Sequence, residues 1–292
     1  MEKNIFNTYW KERKKGFFKP KGKRIALEAL IKIVRCNKKD TRLRILDIGC
    51  GDGYIINKLS NNFKNLSIDF YGIDKCKEII ERQENKNISN RHCKHLYVRN
   101  ILQEGWDNDI GSFDIIICIN SLHEIFTSLY MDYQQDAYIR LETIISCIAR
   151  HVEDNGILLI FDGIENSNPN ECVEFCLKNQ ISQMEFDIFK KEYSGIRTYF
   201  DERNGIIYCK MKDFTRFITK KRFLSSQTWE IEKNETYQYY TYKQFLALQE
   251  KLNLQIIHSE TFICNETLWH KDIKMIKGRF PMECACMIYK RL

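Results

Sequence analysis

The chain has 292 residues, 43% of them hydrophobic and 13% aromatic, enough to bury a full core in one large domain or two smaller ones. No apolar run reaches the roughly 18 residues that span a bilayer, and the opening MEKNIFNTYWKERKK has no apolar stretch behind its charges, so a soluble, cytoplasmic protein is expected. The net charge of +7 is modest, and the twelve cysteines are scattered, several within apolar runs (Cys118, Cys147, Cys209, Cys286), which reads as reduced and mostly buried thiols rather than a disulfide framework.

The positive charge is concentrated in two places. Residues 11–24 (KERKKGFFKPKGKR) carry eight basic side chains against one acid, and a second basic, aromatic stretch runs over 208–223. Either can meet phosphates. The plainer readings are a solvated N-terminal arm and the outer face of an ordinary helix, with Phe214, Phe217 and Ile218 at i, i+3 and i+4. Beyond the arm, residues 25–36 form one apolar stripe (Leu27, Leu30, Ile31, Val34) and are expected to be helical.

Short apolar runs then alternate with helical stretches. Strands are expected at 44–49, 66–74, 95–100, 113–120 and 156–164. Before the last lies an amphipathic helix with Leu141, Ile144, Ile145 and Ile148 on one side, closed by a turn at Asp154-Asn155-Gly156. Strands apolar on both faces and separated by helices imply a parallel sheet covered on both sides, a doubly wound α/β layout. Ligands in such sheets bind beyond the carboxyl ends of the strands.

The pattern breaks after the fifth strand. Residues 165–240 read as several helices rich in Tyr and Phe, an insertion that serves either as a lid or as a packing extension. Residues 242–252 then make a core helix, and 254–263 and 284–289 two further strands. The organisation expected is a basic arm and N-terminal helix (1–40), a ligand-binding core (41–164), the insertion (165–240), and a last helix and two strands that complete the sheet (241–292).

The stretch RILDIGCGDGYIINKL places Gly49, Gly51 and Gly53 between the first strand and a helix, with Cys50 inside the loop and Asp47 two residues ahead of it. Such a turn adopts positive φ and leaves the backbone bare beside a helix N-terminus, where a ligand can lie against it. Dinucleotide sites space their glycines G-x-G-x-x-G; here the spacing is G-x-G-x-G, and an acid at Asp47 suits a ligand with an ammonium group better than a pyrophosphate.

LDIGCGDG resembles the first motif of class I S-adenosylmethionine-dependent methyltransferases, and the following strands resemble the rest of that family's core in order. The resemblance implies a seven-stranded, Rossmann-like methyltransferase sheet with a helical, aromatic-rich insertion after the fifth strand, and S-adenosylmethionine as cofactor. It implies that the glycine loop holds the methionine part. It also implies that Asp74, at the end of the second strand, accepts from both ribose hydroxyls, with Lys75 and Cys76 near the adenine. The family often has an Asp at the end of the third strand; this chain has Asn100, whose amide oxygen can accept the same hydrogen bond, with Ile101 placed to pack on the ring. Asn120 and Ser121, after the fourth strand, fall near the transferable methyl, with His123 and Glu124 just beyond.

Methyl transfer from a sulfonium is an in-line displacement that asks for alignment and, for a hydroxyl or protonated amine, a proton acceptor. His123 is the candidate general base; the alternative is a histidine that packs or bonds a carbonyl. Glu124 reads as a helix N-terminal charge. No metal site is expected: His92, Cys93 and His95 lie close in sequence but lack a second paired element, and Cys172 and Cys176 read as apolar packing on a helix face. The sequence lacks both the Asn/Asp-Pro-Pro-aromatic motif and the Pro-Cys nucleophile of two DNA methyltransferase classes. A small-molecule acceptor with an N or O nucleophile is favoured; tyrosines of the insertion such as Tyr193, Tyr199 and Tyr208 either cage it or form the insertion's own core. RNA or protein guided by the basic arm is the alternative. A nicotinamide-dependent dehydrogenase and a non-catalytic cofactor-binding subunit are the readings from other classes.

Overall fold

The computed structural model describes residues 8–11, 13–14, 22–37, 41–85, 87–88 and 90–292. Most of the basic arm (12 and 15–21) therefore lies outside the described residues. The chain divides into two compact units. The larger comprises 23–162, 246–260 and 286–292; the smaller comprises 163–245, 261–285 and the described residues ahead of Lys23.

The larger unit is built on a seven-stranded sheet. Its strands are β1 (Leu43–Ile48), β2 (Ile68–Asp74), β3 (Cys93–Val98), β4 (Phe113–Ile119), β5 (Val152–Gly163), β9 (Gln255–Phe262) and β11 (Cys284–Lys290), in the order β3-β2-β1-β4-β5-β11-β9. β1 runs parallel to β2, from Leu43 opposite Ile68 to Ile48 opposite Ile73, and parallel to β4 on its other side; β2–β3 and β4–β5 are parallel as well. The order reverses between β1 and β4, so the loops leaving these two strands diverge to opposite faces and open a crevice. Every residue of β4 is buried, as befits a central strand covered on both faces.

The helices of this unit are α1 (Lys23–Cys36), α2 (Tyr54–Asn62), α3 (Lys77–Glu84), α4 (Leu122–Tyr133) and α5 (Ala137–Arg150). Leu141, Ile145 and Ile148 form the buried stripe of α5. The turn expected at 154–156 is real but lies within β5: α5 ends earlier, at a His151 cap, and Asn155 takes φ 62 where the β4–β5 register slips between Phe113 and Ile115. An asparagine tolerates that left-handed conformation at little cost.

The smaller unit corrects the expectation of a helical insertion. It holds an antiparallel sheet of β6 (Cys172–Leu177), β7 (Phe200–Arg203), β8 (Ile206–Lys210) and β10 (Ile273–Lys277), in the order β10-β6-β8-β7. With it are α6 (Gln180–Glu192), α7 (Met211–Lys220), α8 (Trp229–Glu232) and α10 (Glu266–Asp272). Val173 is buried and Phe175 fully so, while Glu174 and Cys176 between and beyond them are partly open, the period-two pattern of a strand. Cys172 and Cys176 thus belong to β6 rather than to a helix. The core gathers Phe175, Phe186, Phe189, Phe214, Phe217 and Trp269. The chain segment after α9 (Tyr242–Leu252) also contributes, since 261–285 joins this unit.

The helix within the basic stretch 208–223 is not an outer face, although Lys210 and Arg222 at its two ends are exposed. Every residue of α7 except Lys212 is buried. Arg216 meets Glu165 at 3.0 Å, Lys220 meets Glu232 at 2.8 Å, and Lys221 meets Asp272 at 2.9 Å and also Glu185. Burial pushes the Glu232 carboxyl up, yet the Lys220 ammonium, the hydrogen bonds from Lys220 and Tyr237, and nearby Arg222 together hold it below the ordinary range. Buried cations persist only when paired in this way. Among the described residues, no helix is long and apolar enough to cross a membrane.

Candidate functional site

β1 ends at Ile48, and Gly49, Gly51 and Gly53 follow with φ of 71°, 51° and 69°. The three glycines answer different needs. A Cβ on Gly49 would lie 2.7 Å from the Ser121 Cβ, and one on Gly53 would lie 2.3 Å from the Gln83 Oε1. Gly53 therefore serves the packing of α2, which it caps, against α3. The loop is tied to the end of β2: the Gly49 and Cys50 amides both donate to the Ile73 carbonyl (2.8 and 3.0 Å), and the Gly51 amide donates to Asp74 Oδ2 at 2.9 Å. Asp74 Oδ1 accepts from the Cys76 amide at 2.9 Å, and the Gly51 carbonyl accepts from the Gln83 side chain.

A cleft of about 70 Å³, open to solvent, lies at these strand ends. Of the residues expected from sequence, Gly49, Asp74, Lys75, Asn100, Ile101 and Ser121 line it. Asp47, Cys50, Gly51, Gly53, Asn120 and His123 do not. Asp47 is buried beneath the loop; burial, with the charges of Asp74 and Asp52, pushes its carboxyl up to about 8. Burial likewise pushes the Cys50 thiol well up, and its sulfur receives a hydrogen bond from Gln83. Asn120 takes φ 52 and donates its amide to the Phe161 carbonyl. The Asn100 Oδ1 accepts from the Leu102 amide at 3.1 Å, so one of its lone pairs closes a turn.

Sequence reasoning missed several residues here. Arg99 lines the cleft while its guanidinium donates to the Trp106 and Asn108 carbonyls (2.7 and 2.6 Å); a cation beside the expected Asn100 was the available signal. Ser128 also lines it, one turn along α4 from Glu124, which the sequence reads as a helix N-terminal charge and which reaches the cleft as well. Asp162 was missed as well. Its Oδ1 lies 2.6 Å from His123 Nδ1, and its Oδ2 accepts from the His123 amide at 3.1 Å, with both side chains almost wholly buried. An acid near the end of the apolar run LLIFDG was its signal. The trio His92, Cys93 and His95 does not converge: His92 faces the Ser60 carbonyl, Cys93 receives Arg42, and His95 stacks on Tyr71.

The profile of the family described as "Methyltransferase domain" matches residues 46–158, the segment that carries β1 to β4, most of β5, and the cleft. Residues 46–158 thus carry a methyltransferase domain. No curated protein matches the methyltransferase by sequence. Among solved structures, the plantazolicin methyltransferase BpumL in complex with SAH is similar at TM-score 0.52 and 13% identity, over 100% of this chain and 91% of that one. The same protein with SAH and a monoazolic desmethylPZN analogue gives 0.53 at 13% identity, with the same coverage. An S-adenosylmethionine-dependent methyltransferase from Mesorhizobium loti gives 0.47 at 13% identity, over 89% and 96%. At such identities the likeness is one of fold.

The sequence resemblance implies S-adenosylmethionine as cofactor. The residues present fit it. Two buried oxygens, Asp47 Oδ2 beneath the loop and Ser121 Oγ beside the cleft, have no hydrogen-bond partner among the described residues, an arrangement that a polar ligand relieves.

Proposed function

We propose that the methyltransferase moves the cofactor methyl to a nitrogen or oxygen nucleophile of a small-molecule acceptor. The observation that carries this reading is the pairing of Arg216, Lys220 and Lys221 with carboxylates inside the smaller unit. A nucleic-acid acceptor draws most of its affinity from cations open to its phosphates, and these three are spent on internal partners. The smaller unit also holds a cavity of about 540 Å³, with Ile263, Met275 and Phe280 among its apolar walls and Glu165, Tyr242 and Arg279 among its polar groups. That size and lining suit a compact molecule, and we assign acceptor recognition to this unit. BpumL, of the same fold, has been solved with azolic desmethylPZN analogues, which is in keeping with the reading.

Bound S-adenosylmethionine supplies an electrophilic methyl on a sulfonium. In the proposed assignment, Gly49, Cys50 and Gly51 present main chain to its methionine part, Gly53 sets the helix start behind them, and Asp47, pushed up to about 8 without the cofactor, loses its proton to become the counter-charge for the ammonium. Asp74, at the end of β2, accepts from the ribose hydroxyls. Lys75, Asn100 and Ile101 flank the adenine, and Asn120 and Ser121 border the methyl. His123 takes the acceptor's proton: donation from its Nδ1 to Asp162 places the basic lone pair on Nε2.

Labelled S-adenosylmethionine incubated with separate metabolite, RNA and protein fractions tests the acceptor class. Label is expected in the metabolite fraction; transfer to RNA or protein alone overturns the reading.

A further inference from the structure

Three side chains of the larger unit converge away from the cleft lining. Asp107, in the turns that follow β3, places Oδ2 2.9 Å from Cys147 Sγ and 3.0 Å from His151 Nε2. Cys147 and His151 stand four residues apart at the end of α5, hence on one face of it. The other ring nitrogen of His151, Nδ1, lies 2.7 Å from the Gly111 carbonyl oxygen. A carbonyl only accepts, so Nδ1 carries the proton, and the neutral ring turns its Nε2 lone pair on the carboxylate. Two acceptors 3.0 Å apart need a positive centre. In the metal-free protein a second proton on His151 and the thiol proton of Cys147 both meet the Asp107 oxygen; a metal ion in their place engages all three.

We infer that Asp107, Cys147 and His151 form a binding site for a divalent ion of the zinc class. Carboxylate, thiolate and imidazole are the donor set such an ion takes, and a solvent molecule completes four-coordination. The three ligand atoms lie within 4.8 Å of one another. Ligand bonds of about 2.0–2.3 Å set tetrahedral neighbours roughly 3.3–3.7 Å apart, so a small outward rotation of the side chains admits the ion. The Nδ1 bond to the Gly111 carbonyl is the outer-shell contact that a metal-bound imidazole makes. His151 and Asp107 are 18% and 22% exposed, which leaves solvent a path to the ion. Burial and the Asp107 carboxylate push the Cys147 thiol up, with Arg150 opposing them only in part, so the thiol proton leaves to solvent only as the ion binds. Arg99, a cleft residue, donates to the carbonyls of Trp106 and Asn108 on either side of Asp107, so the ion braces the segment that holds Arg99 in place.

The test is a titration of the reduced, chelator-stripped protein with Co2+ followed by absorption. One equivalent should produce a thiolate-to-cobalt charge-transfer band and the intense visible bands of a tetrahedral site, both removed by added Zn2+. Cys147→Ser should abolish the charge-transfer band, and His151→Gln should weaken Co2+ binding at least about tenfold. The double variant Cys264→Ser, Cys284→Ser removes the two thiols that meet Glu283 in the smaller unit and should leave the band intact. If Cys147→Ser does not fold, as judged by circular dichroism, His151→Gln decides. Absence of the band in the unaltered protein, or its persistence with undiminished affinity in both His151→Gln and a folded Cys147→Ser, overturns the site.

Discussion

Asp162 holds His123 twice, by the ring at 2.6 Å and by the main-chain amide at 3.1 Å. One acid near the end of β5 thus fixes both the start of α4 and the orientation of the imidazole. His123→Ala and Asp162→Asn should each lower turnover on the order of 100-fold or more, with S-adenosylmethionine affinity little changed. Steady-state kinetics beside calorimetric binding checks this. A folded His123→Ala with full turnover leaves the ring a packing role only.

Asp47 makes stability depend on pH. Its carboxyl titrates near 4 in the unfolded chain and is pushed up to about 8 by burial and neighbouring acids in the fold. Between those values the folded state binds the extra proton, so stability falls as pH rises from about 4 to about 8 and levels off above. Asp47→Asn should remove this slope. Urea midpoints of the cofactor-free protein at pH 5 and pH 8 should drop for the wild type relative to the variant; parallel drops in the two proteins contradict it.

Gly53 has both a left-handed φ and a neighbour in the way. Gly53→Ala should cost more than about 1 kcal/mol of stability, from backbone strain plus the clash with Gln83. In the double variant with Gln83→Ala, the clash is gone and the strain remains, so the two costs should not add. Thermal unfolding of the four proteins of the cycle measures this.

The Lys220–Glu232 pair is buried on both sides, at 1% and 4% exposure of the side chains. Lys220→Ala strands a buried carboxylate and should cost about 3–5 kcal/mol; Lys220→Met with Glu232→Leu should cost much less. Denaturant melts of the two variants separate the cases. Equal losses would mean that the ion pair matters only for the volume it fills.

Much of the fold was legible because its signals are local. Strands apolar on both faces, such as 113–119, and the bare loop from Gly49 to Gly53 announce a covered parallel sheet with a ligand at its edge. Asp74, Asn100 and Ser121 were placed by their position after strands, and all three reach the cleft. What was hidden depends on distant partners. Arg216 and Lys221 read as exposed cations because Glu165 and Asp272 lie about fifty residues away in sequence. Strand β6 reads as helix in the sequence because its period-two pattern spans six residues, and β10 joins it from nearly one hundred residues on. The Cys147-to-His151 spacing was visible, but its third member, Asp107, comes from a turn forty residues earlier.

The account rests on a cofactor lying between the glycine loop and Asp74. Calorimetric titration of S-adenosylhomocysteine into the wild type and into Asp74→Ala tests it most directly. The account predicts saturable one-to-one binding by the wild type, weakened in the folded variant by about 1.5–3 kcal/mol through the loss of charge-assisted bonds. Equal affinity in the two proteins, or no binding by the folded wild type, would contradict it.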